Sequence, residues 1–193
     1  MREHTNFHKF LQLNIIVVVI LFGAESCSTQ QADMPTLNNN YAIAPPVYTT
    51  LAEKSLDLLT SFEFDSWAGM MSDSIEYEFP DGDINSRTKL IGKSAVLAWW
   101  KNYKATSGIQ SMTVTAANYL PIHVLQKPKA DLLSGIYVYA YFSNNMVFKD
   151  DSVALRMNFN FHFNKEKMID RIITYYDRTP IIEVSGNNFL NKK

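Results

Sequence analysis

Two aspartates are the residues of this 193-residue chain that best suit proton transfer. Asp170 lies in a predicted final strand, residues 168–177, and the strand alternation places it on one face with Thr174 and Tyr176. A carboxylate buried among aromatic rings has a raised pKa and can act as a general acid or base. Because Asp170 is close to the turn before this strand, a solvated carboxylate is the alternative. Asp81 lies in a Pro-Asp-Gly-Asp turn, where solvation is also expected.

The predicted domain contains two histidines, His123 and His162, and neither has the spacing of a metal site. No thiolate accompanies them, so the sequence predicts no metal and no cofactor. His162 alternates with Asn158 and Asn160 along a strand, which predicts a polar outer face of a sheet. A role in solvent contact or at a subunit interface is therefore favoured over catalysis.

Aromatic side chains are unusually frequent and make up 13% of the chain. Most of them are expected in an ordinary core. Buried tyrosine and tryptophan nevertheless need partners for their O–H and N–H groups, so such a cluster also suits a cavity with a few polar groups. The rings in question are Trp67, Tyr77, Trp99, Trp100, Tyr119, Tyr137, Tyr139, Tyr141, Phe159 and Phe161.

Helices are predicted first along the domain. Thr50 and Glu53 have the spacing of a capping box, and apolar residues follow at helical intervals. A short second helix is predicted over residues 66–71. After a strand over residues 74–79 and a turn, Gly92 precedes a third helical pattern over residues 94–103.

The rest of the domain has the pattern of antiparallel strands, over residues 109–124, 132–142, 152–164 and 168–177. Turns are predicted at Asn144-Asn145 and at residues 149–151. Helices followed by long strands predict an α+β fold, and few helices can cover such strands only if the sheet curls over them. The expected result is a cone-shaped sheet with an apolar mouth, where small ligands bind.

The N-terminus predicts export. Basic residues precede a short apolar run, and small residues follow it, which is typical of a secretory signal over residues 1–26. The only cysteine, Cys27, comes next and resembles the acylated cysteine of a bacterial lipoprotein. Ordinary cleavage that leaves a free thiol is the alternative. Residues 27–47 are then a flexible tether, residues 48–180 the domain and residues 181–193 a tail without a clear pattern. The expected location is the bacterial cell envelope.

Charge and composition exclude one class of partner. The net charge is −1, so no basic surface for nucleic acid is indicated. Together with the hydrophobic content of 47%, this favours one soluble domain with a large aromatic core.

The order of local motifs over residues 50–177 resembles the nuclear-transport-factor-2-like superfamily, and most closely its SnoaL-like branch. That branch typically shows an aspartate and a tryptophan in its first helices, a strand that ends in Pro-x-Gly, and Gly-Lys at the start of the next helix. A lysine followed by hydrophobic residues opens its last strand, which ends in Tyr-x-Asp or Tyr-Tyr-Asp. The matching residues here are Asp65 and Trp67, Pro80 and Gly82, Gly92 and Lys93, Lys167 with Met168 and Ile169, and Tyr175, Tyr176 and Asp177. The resemblance implies the same cone-shaped α+β fold.

The catalytic residues of the superfamily are missing at the matching positions. The aspartate base of ketosteroid isomerases corresponds to Phe79, and the last-strand aspartate of the cyclases and hydrolases corresponds to Thr174. The Arg-x-Asp pair of the hydrolases corresponds to strand positions held by Tyr137, Tyr139 and Tyr141. The resemblance thus implies the fold and leaves the activity open.

By the same resemblance, the strand face that holds Thr174 and Asp170 points into the cone. The expected ligand pocket consists of Trp67, Tyr77, Trp99, Tyr119, Tyr139, Phe159, Phe161, Thr174 and Tyr176. The leading hypothesis is a lipid-anchored domain that binds a small apolar or aromatic molecule without transforming it. Two alternatives remain: an isomerase, cyclase or hydrolase with a rearranged site, and an envelope protein-interaction module. A homodimer through the outer sheet face is also expected.

Overall fold

The computed structural model describes residues 40–83, 85–126 and 133–190. The signal, Cys27 and the first part of the tether lie outside these residues. The described helices are α1 Val47–Thr60, α2 Phe64–Ala68, α3 Lys93–Thr106 and α4 Thr179–Ser185. The described strands are β1 Tyr41–Ile43, β2 Met71–Glu78, β3 Lys89–Ile91, β4 Ile109–Val124, β5 Gly135–Phe148, β6 Ser152–Phe163 and β7 Ile169–Tyr175.

The seven strands form one sheet in the order β1-β4-β5-β6-β7-β2-β3. Strands β2 and β7 pair in parallel, and every other neighbouring pair is antiparallel. The sheet curls without closing, so the predicted cone-shaped α+β fold is confirmed.

The concave face of the sheet holds the core, and β6 shows why. Alternate residues of β6 from Leu155 to Phe163 are buried, as the period-two pattern predicts. Helix α1 packs Ala52, Leu56 and Leu59 against this face because these residues recur every three or four positions. The side chains that alternate with them on β6 lie on the opposite, outer face.

Two N-terminal boundaries differ from the prediction. Helix α1 begins at Val47, and the proline at Pro46 already has helical backbone angles, so the Thr50–Glu53 motif lies inside the helix instead of capping it. Residues 41–43 were expected in the tether but pair with the end of β4, Tyr41 opposite Val124. Without residues 41–43, β4 would be the edge strand of the sheet, and its unpaired backbone groups there bind β1.

The turn predicted at Asn144-Asn145 is wrong. Both residues continue β5, where Asn144 lies between Val114 of β4 and Leu155 of β6. The chain reverses later, and the Phe148 amide donates to the Asp151 carbonyl over 2.8 Å. Pairing on both sides of β5 therefore outweighs the local turn preference of asparagine.

The end of the chain is more ordered than its sequence suggests. Helix α4 forms within and just before the stretch expected to be a tail, with Pro180 in its first turn. The Thr179 amide donates to the Asp177 carboxylate over 2.9 Å at the start of this helix. Ile181 is buried against the core. Residues 178–190 are called the C-terminal segment below.

Candidate ligand-binding site

A cavity of about 50 Å³ lies inside the curled sheet, between its concave face, α1, α3 and the C-terminal segment. Its walls are mainly apolar and aromatic. Examples are Leu59, Trp99, Met112, Phe142, Met157 and Phe159. The cavity is far smaller than a typical ligand site of roughly 300–1,000 Å³.

Helix α3 places the ring cluster at the cavity. Trp99 and Tyr103 are four residues apart, and their rings stack at 5.3 Å with 7° between the planes. Phe79, at the end of β2, packs on Trp99 at 4.5 Å. The rings thus form a continuous aromatic wall.

Two polar atoms in this wall have no hydrogen-bond partner among the described residues. They are the indole Nε1 of Trp100 and the amide Oδ1 of Asn144, whose side chains are only 6% and 5% exposed. The Tyr77 hydroxyl, deeper in the core, also makes no full hydrogen bond, although the Thr174 and Trp100 side chains lie close enough to oppose the rise in its pKa. An unpaired buried polar group costs about 1–3 kcal/mol, so the site favours a ligand or water that completes these bonds.

Three tyrosines near the cavity are held neutral by burial. Burial raises the pKa values of Tyr77, Tyr103 and Tyr176 above the usual tyrosine range. Near Tyr176, the Arg178 guanidinium opposes this effect, and the Asp81 carboxylate adds to it. At neutral pH these hydroxyls are therefore hydrogen-bonding groups and not bases.

The charge in the described cavity lining is positive. The described lining residues include no aspartate, glutamate or histidine, and Arg178 is the charged side chain among them. General acid–base catalysis needs a titratable group within hydrogen-bond reach of the reacting atoms. The cavity wall that the structure describes offers none with a pKa suited to neutral pH.

The predicted pocket residues divide into three groups. Trp99, Phe159 and Tyr176 line the cavity. A second group is buried in the core around it and does not line it: Trp67, Tyr77, Phe161 and Thr174. The remaining two lie elsewhere: Tyr119 is half-buried near carboxylates of α1, with its pKa raised to about 12 by burial and by those charges, and Tyr139 is on the outer face.

Several of these positions have clear structural roles. The Trp67 Nε1 donates to the Ser55 hydroxyl over 2.9 Å, and the Thr174 hydroxyl donates to the Glu78 carbonyl over 2.9 Å. Tyr139 stacks on Tyr137 at 5.9 Å on the face opposite the cavity. The expectation that the Tyr139 hydroxyl reaches the pocket is therefore wrong, because strand alternation turns it outward.

The inward placement expected for Asp170 is also wrong. His162 pairs with Arg171 and Phe163 with Ile169, so Asp170 is the extra residue of a β-bulge. The bulge turns its carboxylate to the outer face, where Oδ1 lies 2.5 Å from Nδ1 of His162. The other ring nitrogen of His162 lies 3.2 Å from the Ser134 carbonyl. This pair joins β6, β7 and the start of β5 outside the cone.

The second candidate carboxylate, Asp81, has a local role. Its two oxygens accept from the Thr88 amide over 3.0 Å and from the Thr88 hydroxyl over 2.6 Å. These bonds close the turn between β2 and β3. Asp81 does not line the cavity.

A separate ionic cluster lies on the outer face. The fully buried Glu78 carboxylate forms ion pairs with Arg171, with Arg87 over 3.0 Å and with Lys89 over 3.7 Å. The Arg171 Nε donates to Glu78 over 2.6 Å, which joins the parallel strands β7 and β2. These partners compensate a carboxylate that burial would otherwise penalise heavily.

Sequence reasoning missed the contribution of the C-terminal segment. Arg178, Ile181, Ile182, Phe189 and Leu190 all line the cavity. The Phe189 ring meets Tyr103 edge-on at 5.0 Å. The available signal was the apolar content of the tail itself, because four of these five residues are hydrophobic in an otherwise polar stretch.

Side chains of the metal-ligating types are dispersed over the described part of the chain. No group of three or more histidine, cysteine, aspartate or glutamate side chains comes together there. Among the described helices, none has the length and apolar character needed to cross a membrane.

Comparison with solved structures identifies the architecture. A protein from a Silicibacter species, assigned as a polyketide cyclase, superposes with a TM-score of 0.55 at 14% identity, over 74% of this chain and 97% of that one. The domain has the cone-shaped α+β fold that is called SnoaL-like or nuclear-transport-factor-2-like. A similar match to a Xanthomonas campestris protein, also assigned as a polyketide cyclase, has a TM-score of 0.54 at 12% identity, over 72% and 96%.

A third protein, from Shewanella denitrificans and assigned as a SnoaL-like polyketide cyclase, gives a TM-score of 0.52 at 11% identity, over 75% of this chain and 100% of that one. At such identities the likeness concerns the SnoaL-like fold alone. No family model matches the sequence, and no curated protein matches it. The fold predicted from the motif order is confirmed.

Proposed function

We propose that this chain is an exported, lipid-anchored SnoaL-like domain that binds a small apolar or aromatic molecule in its cone and does not transform it. The observation that carries the proposal is the chemical character of the cavity wall. It is apolar and aromatic, it lacks a described carboxylate or imidazole, and it holds the buried, unpartnered Trp100 N–H and Asn144 carbonyl. These are features of a binding site with a few orienting polar groups.

The small cavity volume means that a bound ligand must displace part of the wall. The C-terminal segment is the part best suited to move, because α4 has only seven residues and Gly186 after it has a positive φ of 66°. An apolar ligand that enters beneath this segment would take over the contacts that the segment's apolar side chains make with the rest of the wall.

The test is a titration of the Cys27→Ser chain with 2-acetylnaphthalene, an aromatic ketone, followed by tryptophan fluorescence. Trp99 and Trp100 lie in the cavity wall, so binding should quench them saturably. The ketone should be recovered chemically unchanged. Trp99→Ala should weaken binding several-fold with a stability loss below the roughly 3–5 kcal/mol of a fully packed tryptophan, because Trp99 is only partly buried.

Asp170→Asn is the control variant, because Asp170 lies on the outer face. It should bind the ketone as wild type does. Conversion of the ketone by wild type would instead support the enzymatic alternative, and a loss of that turnover by roughly 10²–10⁴-fold in Asp170→Asn would assign the acid or base to Asp170.

The interaction-module alternative also has a specific observation in its favour. The cone is largely filled by its own side chains, while a shallow groove of about 400 Å³ lies on the outer face beside Tyr141, Arg156, Asn158 and Tyr175. Saturable binding of apolar probes in the cone would favour the first proposal over this one. Absence of any probe binding would favour the interaction module.

The anchor is proposed from the position of Cys27 alone. Acylation of this residue would hold the chain at the bacterial envelope membrane. In the native host, Cys27→Ser should move the protein from the membrane fraction to the soluble envelope fraction. If the variant remains in the membrane fraction as fully as wild type, the anchor proposal is wrong.

A further inference from the structure

Arg178 gives the cavity a positive charge that the site does not neutralise. It follows β7 and precedes α4, and its side chain lines the cavity together with Tyr176, Ile181 and Ile182. No described carboxylate lies within ion-pair distance of it, in contrast to the Glu78 cluster on the outer face. Its guanidinium donates a hydrogen bond to the Asn188 side-chain amide oxygen.

The carboxylates on neighbouring turns are engaged elsewhere. Asp177 accepts from the Thr179 amide, and Asp81 accepts from the amide and hydroxyl of Thr88. A guanidinium has five N–H donors, so the bond to Asn188 leaves several of them for a ligand. Arginine is also the side chain that binds carboxylates most specifically, because two of its N–H groups match the two oxygens.

The rest of the cavity defines the body of such a ligand. The walls opposite the C-terminal segment are apolar, with Met112, Phe142, Met146 and Phe159 as examples. The Trp100 N–H is a further buried donor without an acceptor. The unpaired Trp100 donor is matched in number by one unpaired acceptor, the Asn144 amide oxygen, so the Arg178 charge and the apolar walls are what favour an apolar molecule that carries a single anionic group.

We propose that the ligand is an amphipathic carboxylate whose apolar body occupies the cone and whose anionic group is held by Arg178. This inference rests on the proposed function and adds the chemical class of the ligand. With a neutral ligand the partly exposed guanidinium keeps only Asn188 and water as partners, whereas a carboxylate would give it a charge-assisted pair.

The test compares two probes of equal shape, naphthalene-2-carboxylate and naphthalene-2-carboxamide, by tryptophan fluorescence at pH 7 on the Cys27→Ser chain. The carboxylate should bind about 10- to 100-fold more tightly, as expected for hydrogen bonds to charged groups. Arg178→Met should abolish this preference and leave carboxamide binding within about threefold. Arg178→Lys keeps the positive charge but loses the paired N–H donors of the guanidinium, so it should retain part of the preference for the carboxylate. Such partial retention would show that the loss of preference in Arg178→Met does not come from misfolding.

Lys54→Met is the control for loss of a positive charge, because Lys54 is an exposed cation of α1 that does not line the cavity. It should leave both affinities unchanged. Equal binding of the two probes to wild type would overturn the inference and leave the proposed function intact. An equal loss of both probes in Arg178→Met would also overturn it, since it would show that Arg178 only holds the segment through Asn188. No binding of either probe would overturn the inference together with the proposed function.

Discussion

The indole N–H of Trp100 is the group that best distinguishes a residue of the binding site from a residue that only packs in the core. It is buried without a partner, whereas the N–H of Trp67 donates to Ser55. Trp100→Phe should lower the free energy of unfolding by no more than about 1 kcal/mol, because the lost ring area is offset by removal of an unpaired donor. It should weaken 2-acetylnaphthalene binding about five- to tenfold. Urea unfolding and a fluorescence titration that uses Trp99 measure the two effects.

Trp67→Phe is the matched control for this prediction. It should lower stability by about 1–2 kcal/mol, since the buried Ser55 hydroxyl loses its partner, and should leave the affinity unchanged. The opposite ranking, with affinity lost in Trp67→Phe and kept in Trp100→Phe, would contradict the assignment of Trp100 to the site.

The buried tyrosines make stability sensitive to alkaline pH. The pKa values of Tyr77, Tyr103 and Tyr176 are raised in the folded state, so above pH 10 the unfolded chain loses protons that the folded chain keeps. Their contribution is complete below the ordinary tyrosine pKa of about 10 and is lost as pH rises through the folded-state values. Stability should therefore fall from pH 10 upward.

Tyr77→Phe isolates this effect from lysine deprotonation. Its hydroxyl has no described hydrogen-bond partner, so the replacement should preserve packing and flatten the fall in stability between pH 10 and 11. Urea unfolding at pH 8, 10 and 11 provides the comparison. Parallel curves for wild type and Tyr77→Phe would contradict it.

At the level of single residues, the sequence was informative for packing and less so for orientation. The sequence shows directly that the side chains of Phe79 and Thr174 cannot act as bases at neutral pH. The orientation of Asp170 could not be read, because one inserted residue in a β-bulge reverses the face of the strand. Tyr139 was misplaced for a related reason, because the sequence does not say which face of β5 is concave.

At the scale of elements, the C-terminal segment closes the cavity. Phe189 packs on Tyr103 and lines the cavity, although the chain there forms no helix or strand. Phe189→Ala should speed association of 2-acetylnaphthalene several-fold, because a smaller wall must be displaced before the ligand enters. Stability should fall by less than the roughly 3–5 kcal/mol of a fully buried phenylalanine. Stopped-flow fluorescence gives the association rate.

Leu125→Ala offers a control at an exposed leucine remote in sequence from the segment, 48% exposed at the end of β4. It should change neither the rate nor the affinity. An unchanged association rate in Phe189→Ala would mean that ligands reach the cone by another route.

Elements with strong periodicity were predictable, and short ones were not. The third helical pattern and strands β4, β6 and β7 appear close to their expected positions because many residues contribute to each pattern, whereas β5 continues six residues beyond its predicted end. Strand β1 has three residues and α4 has seven, so tertiary pairing and burial decide them. The same holds for Asn144, whose neighbours on two strands keep it in β5 and bring it to the cavity.

At the scale of the whole molecule, the outer face bears on assembly. We propose a two-fold dimer through this face, as the sequence predicts. Asn160 and His162 are already buried within the chain, so the contact surface shifts to Tyr141, Arg156 and Tyr175, the tyrosines being about half exposed. Light scattering of the Cys27→Ser chain should give twice the chain mass at micromolar concentration. Adding Tyr141→Arg should favour the monomer. A monomer mass for the Cys27→Ser chain with an intact outer face would contradict the proposal.

The central claim, that the cone binds an apolar molecule, is tested most directly by methionine-methyl NMR of the Cys27→Ser chain titrated with 2-acetylnaphthalene. Met112, Met146 and Met157 line the cavity, and Met70 and Met168 do not. The account predicts saturable shifts of the three cavity methyls while the other two signals remain in place. Unchanged cavity methyls at saturating ketone, or shifts confined to methionines outside the cavity, would contradict it.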